Sequence, residues 1–177
     1  MATYYSNVYI GPTSKADDSE GTVINLVGKL TYPAGVAPAT GDVLKFARLP
    51  ANCYVTKVRL FYPSWGTTVP VKIGTSTTDD DAVVAALALQ TSVATTGKTY
   101  LNDETGGTST NSAAFATDLP VLTAAEDFQG TLGSVTAGTA GSAITFQIEY
   151  IHLAAPTAGT VAYNWNSTSS GRGVAST

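Results

Sequence analysis

Charge is what this sequence has least of. Charged residues fill 12% of its 177 positions, about half the share of an ordinary soluble domain. Only 9 Lys and Arg stand against 13 Asp and Glu. Without a basic stripe nothing displaces the counterions of a nucleic acid, so that class of partner is excluded. Cysteine is nearly missing too: Cys53 stands alone and makes no internal disulfide, and it reads as a small apolar core residue. With His152 the sole histidine, histidine-rich metal centres are ruled out and a Ser-His-Asp triad is disfavoured. The longest aliphatic run, Ala82 to Leu89, is far short of the roughly 20 residues that cross a bilayer, so no membrane partner is expected. Met1 to Asn7 carries neither the basic nor the apolar region of a signal peptide. The sequon Asn166-Ser167-Thr168 is therefore read as chance.

What fills the sequence instead is small and hydroxylated. Thr (28), Ala (25), Gly (17) and Ser (14) occupy 84 positions. Hydrophobic residues still make up 44%, which is enough for a core and argues against disorder. The length suits one domain.

Along the chain the hydrophobic pattern is that of short strands. Ile24, Leu26 and Leu30 share one face, as do Leu44 and Phe46 with Lys45 opposite. Val58 and Leu60 alternate with Lys57 and Arg59; Val69, Val71 and Ile73 alternate with Pro70 and Lys72. Pro70 lacks a ladder donor, which points to an edge strand. In the clearest strand, Ala143 to Leu153, Ile144, Phe146, Ile148 and Tyr150 face one way and Thr145, Gln147 and Glu149 the other. Lys98 to Asn102, Leu119 to Leu122 and Gln129 to Val135 read as shorter strands. One helix of about two turns is expected over Ala82 to Leu89, where Asp79-Asp80-Asp81 precedes an alanine-rich run and supplies an N-cap. About eight short strands separated by turn clusters predict an all-β fold. It is an antiparallel β-sandwich or jelly roll spanning 22–156, with one short inserted helix. Residues 1–21 and 157–177 lack strand periodicity and read as extended N- and C-terminal arms.

A search for chemistry finds little. No Gly-x-Ser-x-Gly elbow, P-loop or Gly-x-Gly-x-x-Gly pattern occurs. The acidic residues fall mostly in inferred turns, where Asp caps and solvates, and no carboxylate pair suited to glycoside cleavage stands out. Asp79-Asp80-Asp81 reads as a helix cap, with calcium as its alternative. No catalytic residue, cofactor or metal ligand is assigned, and no enzyme activity is expected. Trp65, in the turn Pro63-Ser64-Trp65-Gly66, reads as a cap on the open end of the core. Its alternative, with Tyr62 and Thr67 nearby, is a glycan contact on a carbohydrate-binding sandwich displayed on a virion or cell surface. The aromatics of the arms, Tyr4, Tyr5, Tyr9, Tyr163 and Trp165, read as partner-binding residues, because bulky rings in polar segments recover their ordering entropy by lying across a neighbour.

The run Gly41-Asp42-Val43-Leu44-Lys45-Phe46-Ala47-Arg48-Leu49-Pro50-Ala51-Asn52-Cys53-Tyr54-Val55, then Val58-Arg59-Leu60-Phe61 and Val71-Lys72-Ile73-Gly74-Thr75, resembles the small jelly-roll-like auxiliary or decoration proteins of tailed-bacteriophage heads. The segment Asp79 to Leu89 shares the likeness, which spans roughly residues 22 to 153. The resemblance implies a non-enzymatic structural protein of the virion, on the phage head surface and made in the bacterial host cytoplasm. Its partners would be the major capsid protein and neighbouring copies of itself, as a homotrimer. The family has no catalytic motif, so no site residues carry over.

Overall fold

A computed structural model describes residues 1–9, 23–90, 92–102 and 112–153. Ten strands form among them: β1 (Thr3–Tyr5), β2 (Val23–Thr31), β3 (Val43–Leu49), β4 (Cys53–Phe61), β5 (Pro70–Thr75), β6 (Val84–Ala88), β7 (Lys98–Leu101), β8 (Ser112–Ala114), β9 (Glu126–Leu132) and β10 (Ala143–His152). They build two five-stranded sheets, β1-β3-β9-β5-β6 and β2-β10-β4-β7-β8. Alternation explains the layering. Each strand turns every second side chain inward, so two sheets facing each other close one apolar core. Leu44, Phe46, Val71, Ile73 and Phe128 come from the first sheet, and Leu30, Val58, Leu60, Phe146 and Ile148 from the second, all fully buried. Phe46 meets Phe146 edge-on across the core at 5.2 Å between ring centroids, a geometry that adds to plain area burial.

The longest ladder belongs to β10, which pairs antiparallel with β2 on one side and β4 on the other. Its buried residues Ile144, Phe146, Ile148 and Tyr150 are the face read from the sequence. The outward face of the adjoining strands, with Lys57, Arg59 and Glu149, also stands as read. Lys57 Nζ meets Glu149 Oε2 at 2.6 Å, and Thr56 donates to Glu149 Oε1 at 2.9 Å. A register shift in β4 and β10 lets two successive residues of β4 reach one carboxylate.

Four expectations need correction. The described residues form ten strands rather than about eight. The sheets are mixed rather than purely antiparallel, since β1 runs parallel to β3 and β7 parallel to β8. The inserted helix over Ala82 to Leu89 is instead β6 and its approach. Leu87 and Leu89 are buried while Ala86 and Ala88 are exposed, the period of a strand. Val83 and Leu89 donate to Ile73 and Val69 of the neighbouring β5 segment at 3.0 Å each. Alanine's helix propensity is worth only tenths of a kcal/mol per residue, so an open ladder edge outweighs it. Pro70 does not mark an edge strand, because β5 lies between β9 and β6. It is the first residue of β5, the other position where a missing donor is tolerated.

The N-terminal boundary shifts as well. Residues 1–9, expected in an arm, lie in the sandwich: β1 pairs with β3 in the register Thr3↔Val43, Tyr4↔Leu44, Tyr5↔Lys45. Residues 10–22 and the expected C-terminal arm from 157 lie outside the described residues.

Candidate assembly surface

The N-terminal strand is held at its two ends by carboxylates, and a bulge in β3 builds one of these holds. In a regular strand, residues three apart face opposite sides. The register of β3 against β9 slips between Lys45 and Ala47, which inserts one extra residue. Phe46 and Ala47 are then both buried, and Lys45 and Arg48 emerge on the same outer face. There they converge on Asp127 of β9: Lys45 Nζ binds Oδ2 and Arg48 Nη1 reaches Oδ1 at 2.9 Å. Tyr9 completes the group, its hydroxyl donating to Asp127 Oδ1 at 2.9 Å. Only 8% of the Asp127 side chain is exposed. Burial alone would raise its pKa, but the hydrogen bonds from Lys45 and Tyr9, with the positive charge of Lys45 and the contact from Arg48, hold it below the usual carboxylate range.

Asp42 grips the other end. Its Oδ1 accepts from the Ala2 amide at 2.7 Å, and its Oδ2 accepts from the Tyr32 hydroxyl and from the Ala39 amide. Here too burial pushes the carboxyl up, and the donors, Tyr32 first, outweigh it and pull it down. Burial and the same partner push the Tyr32 phenol well above its ordinary value. The Tyr4 ring lies 4.2 Å from that of Tyr32, and Tyr32 in turn meets Trp65 edge-on at 5.9 Å.

Between the two carboxylates the chain crosses from one sheet to the other. Ser6 donates its amide to the Lys45 carbonyl at 2.9 Å and its hydroxyl to the Phe46 carbonyl. Asn7 then bonds β2, its amide to the Lys29 carbonyl at 3.0 Å and its Oδ1 from the Lys29 amide at 2.7 Å. Val8 rests over Gly28. A Cβ at Gly28 would stand 2.5 Å from Phe146 Cζ and 2.7 Å from Val8 Cγ2, so only glycine lets the strap lie this close to the core.

Of the three N-terminal tyrosines, Tyr4 is thus committed to the chain's own core and Tyr9 to Asp127. Tyr5 is 45% exposed, with its ring 4.9 Å from that of Tyr9. Tyr163 and Trp165 lie outside the described residues. Trp65 is fully buried and its indole N–H points at the Ala143 carbonyl, 3.4 Å away. It caps the core and offers no face to a sugar, which removes the residue on which the glycan contact rested.

Cys53 is buried, and burial pushes its thiol up to about 12, so it is no nucleophile at neutral pH. It lies opposite His152 in the β4–β10 ladder, a strand-end position as read. Asp79, Asp80 and Asp81 do cluster, with carboxylate oxygens within 4.8 Å of one another, but not as a helix cap. Lys72 binds Asp80, Asp79 accepts from the Asp81 amide at 3.2 Å, and Glu126 organises the preceding turn by accepting from the Thr77 and Thr78 amides. The groove lined by Pro70, Ala85, Thr131 and Gly133 holds about 110 Å³, below the few hundred Å³ of a small-molecule site.

Sequence reasoning assigned no role to Asp42, Glu126 or Asp127, treating the acidic residues as mostly turn residues. A signal existed: Glu126-Asp127 directly precedes the alternating Phe128-Gln129-Gly130-Thr131-Leu132, and acidic residues at a strand start are disfavoured unless a partner holds them.

No protein-family model matches the chain, and neither does any curated protein. Solved structures do. A chain from the capsid of Ralstonia phage GP4 superposes with a TM-score of 0.55 at 18% identity, over 85% of this chain and 97% of that one. A chain from the capsid asymmetric unit of cyanophage Pam1 gives a TM-score of 0.56 at 13% identity, over 78% of this chain and 91% of that one. The likeness to phage virion chains read from residues 22 to 153 therefore recurs in three dimensions as a shared fold.

Proposed function

We propose that this chain is a structural, non-enzymatic subunit of a phage virion that decorates or cements the capsid. The observation that carries the reading is coverage: this fold accounts for nearly the whole length of both capsid chains it resembles. The surface supports it. A weakly charged, hydroxyl-rich exterior buries against copies of itself without desolvating many ions. The partners are the major capsid protein and neighbouring copies, as a homotrimer on the head surface, and the protein is made in the cytoplasm of the bacterial host. Apolar and aromatic surface buried across subunit seams supplies the adhesion. Tyr5, with Tyr163 and Trp165 of the C-terminal arm, provides anchors.

The test is truncation. Removal of residues 158–177 should weaken co-sedimentation with shells and their heat resistance while the circular dichroism of the sandwich stays unchanged. Undiminished binding and heat resistance in the truncated protein would remove the arm from the mechanism. Failure of the full-length chain to bind shells would remove the virion role itself.

A further inference from the structure

Residues 1–9 are bound to the sandwich as a separate peptide would be. Their hydrogen-bond partners run from Lys29 of β2 through Asp42, Val43, Lys45 and Phe46 to Asp127. Among the described residues, the Tyr9 amide donating to Ser6 Oγ and the Tyr5–Tyr9 ring pair stay within the segment. The strand adds to the edge of β3 by backbone pairing, while side chains enter fixed positions at both ends. This is the pattern by which a sheet edge receives a foreign strand.

The two carboxylates are also held by groups outside the segment. Asp127 is paired with Lys45 and Arg48 and bonded through its amide to Ser76 Oγ. Asp42 is held by Tyr32 and the Ala39 amide. Both carboxylates therefore have partners besides residues 1–9. Thirteen residues, 10–22, join Tyr9 to Val23. At about 3.3 Å per residue thirteen residues can span up to roughly 45 Å.

We propose that in the assembled state residues 1–9 of one copy occupy the β2–β3–β9 groove of a neighbouring copy, with Ala2 on its Asp42 and Tyr9 on its Asp127. The exchange deepens the virion reading and rests on it for the setting in which copies meet. It changes no contact chemically; what it costs is the association entropy of two subunits, which the shell offsets by holding copies side by side, and each exchanged strand ties two subunits together. The occupant is a second copy of this chain because the groove already fits this segment along its whole length.

Site-directed crosslinking decides it. Asn7 and Lys29 are both exposed and joined through the backbone. One protein carries Asn7→Cys and another Lys29→Cys. The buried native Cys53 stays silent. The two are refolded together at high concentration, with and without shells, treated with a short bismaleimide and run on a denaturing gel. Exchange predicts a covalent mixed dimer as the main product. The double variant Asn7→Cys/Lys29→Cys predicts multimers. A mixture that stays monomeric, with the double variant closing only on itself, overturns exchange. The pair Thr3→Cys and Val43→Cys repeats the test from the β1 ladder, so a local defect at Asn7 does not decide the outcome. Shell co-sedimentation of the same samples is scored separately. Binding without a mixed dimer rejects exchange alone, and a mixed dimer without binding supports exchange while rejecting the virion role.

Discussion

β10 and β1 are both paired strands of one sandwich, yet different physics holds them. β10 lies between two antiparallel neighbours and buries Ile144, Phe146, Ile148 and Tyr150. β1 has one parallel neighbour and three residues, of which only Tyr4 turns inward onto the core. To its backbone ladder with β3 are added two carboxylate grips, Asp42 on Ala2 just before it and Asp127 on Tyr9 four residues beyond it. Apolar burial is insensitive to pH and spreads over many contacts, whereas a carboxylate grip is concentrated in a few atoms and can be released by a proton or one substitution. The body of the molecule is therefore fixed, and its N-terminal strand is the part suited to changing partners.

The comparison can be broken at several points. The largest effect is expected from Phe146→Ala, which empties the ring site against Phe46. It should cost about 3–5 kcal/mol in urea unfolding and lower protection in β10 and β1 together, since the whole sandwich loosens. Gly28→Ala follows, at about 1–3 kcal/mol for overpacking. Its methyl is wedged between Phe146 and Val8, so Val8 should be lifted and β1 should lose more amide protection than β10. Asp127→Asn should cost about 1–2 kcal/mol by weakening charged hydrogen bonds, with faster hydrogen exchange at the Ser6 and Val43 amides and little change in β10. Equal loss of protection in both strands would collapse the distinction.

Acid is the subtler probe. Asp42 and Asp127 both titrate below their ordinary value of 3.8 in the folded protein. A depressed folded pKa means the stabilisation is fully present above the unfolded value and is lost as pH falls through the folded one. Protection factors at β1 amides, corrected for the intrinsic exchange rate, should therefore fall as the pH drops below about 4, ahead of those in β10. The smallest effect on folding is expected at the exposed Tyr5. Tyr5→Ala should change the unfolding free energy by less than about 0.5 kcal/mol while weakening shell association, which co-sedimentation would register.

The body was the legible part. Period-two alternation places β10, β4 and β5 and their buried faces, because one side of each strand is packed and the other wet. The helix expected over Ala82 to Leu89 fails because local propensity does not know that the edge of β5 needs a partner. The N-terminal strand is illegible for a related reason. Tyr4 and Tyr5 carry no alternation long enough to read, and β1 owes its form to a β3 edge some forty residues away in sequence. The carboxylate grip depends on a bulge at Phe46–Ala47 that brings Lys45 and Arg48 to one face, a geometry that no spacing rule for regular strands anticipates. Trp65 shows the opposite case, a bulky ring in a turn whose burial follows from the open end of the core.

The most direct test is a side-chain-resolution map of the assembled particle. The account predicts the sandwich seated on the shell, with Tyr9 of each copy against Asp127 of its neighbour and Ala2 on that neighbour's Asp42. A particle in which this chain is missing, or in which every N-terminal strand lies on its own sandwich and both ends touch no other subunit, contradicts it.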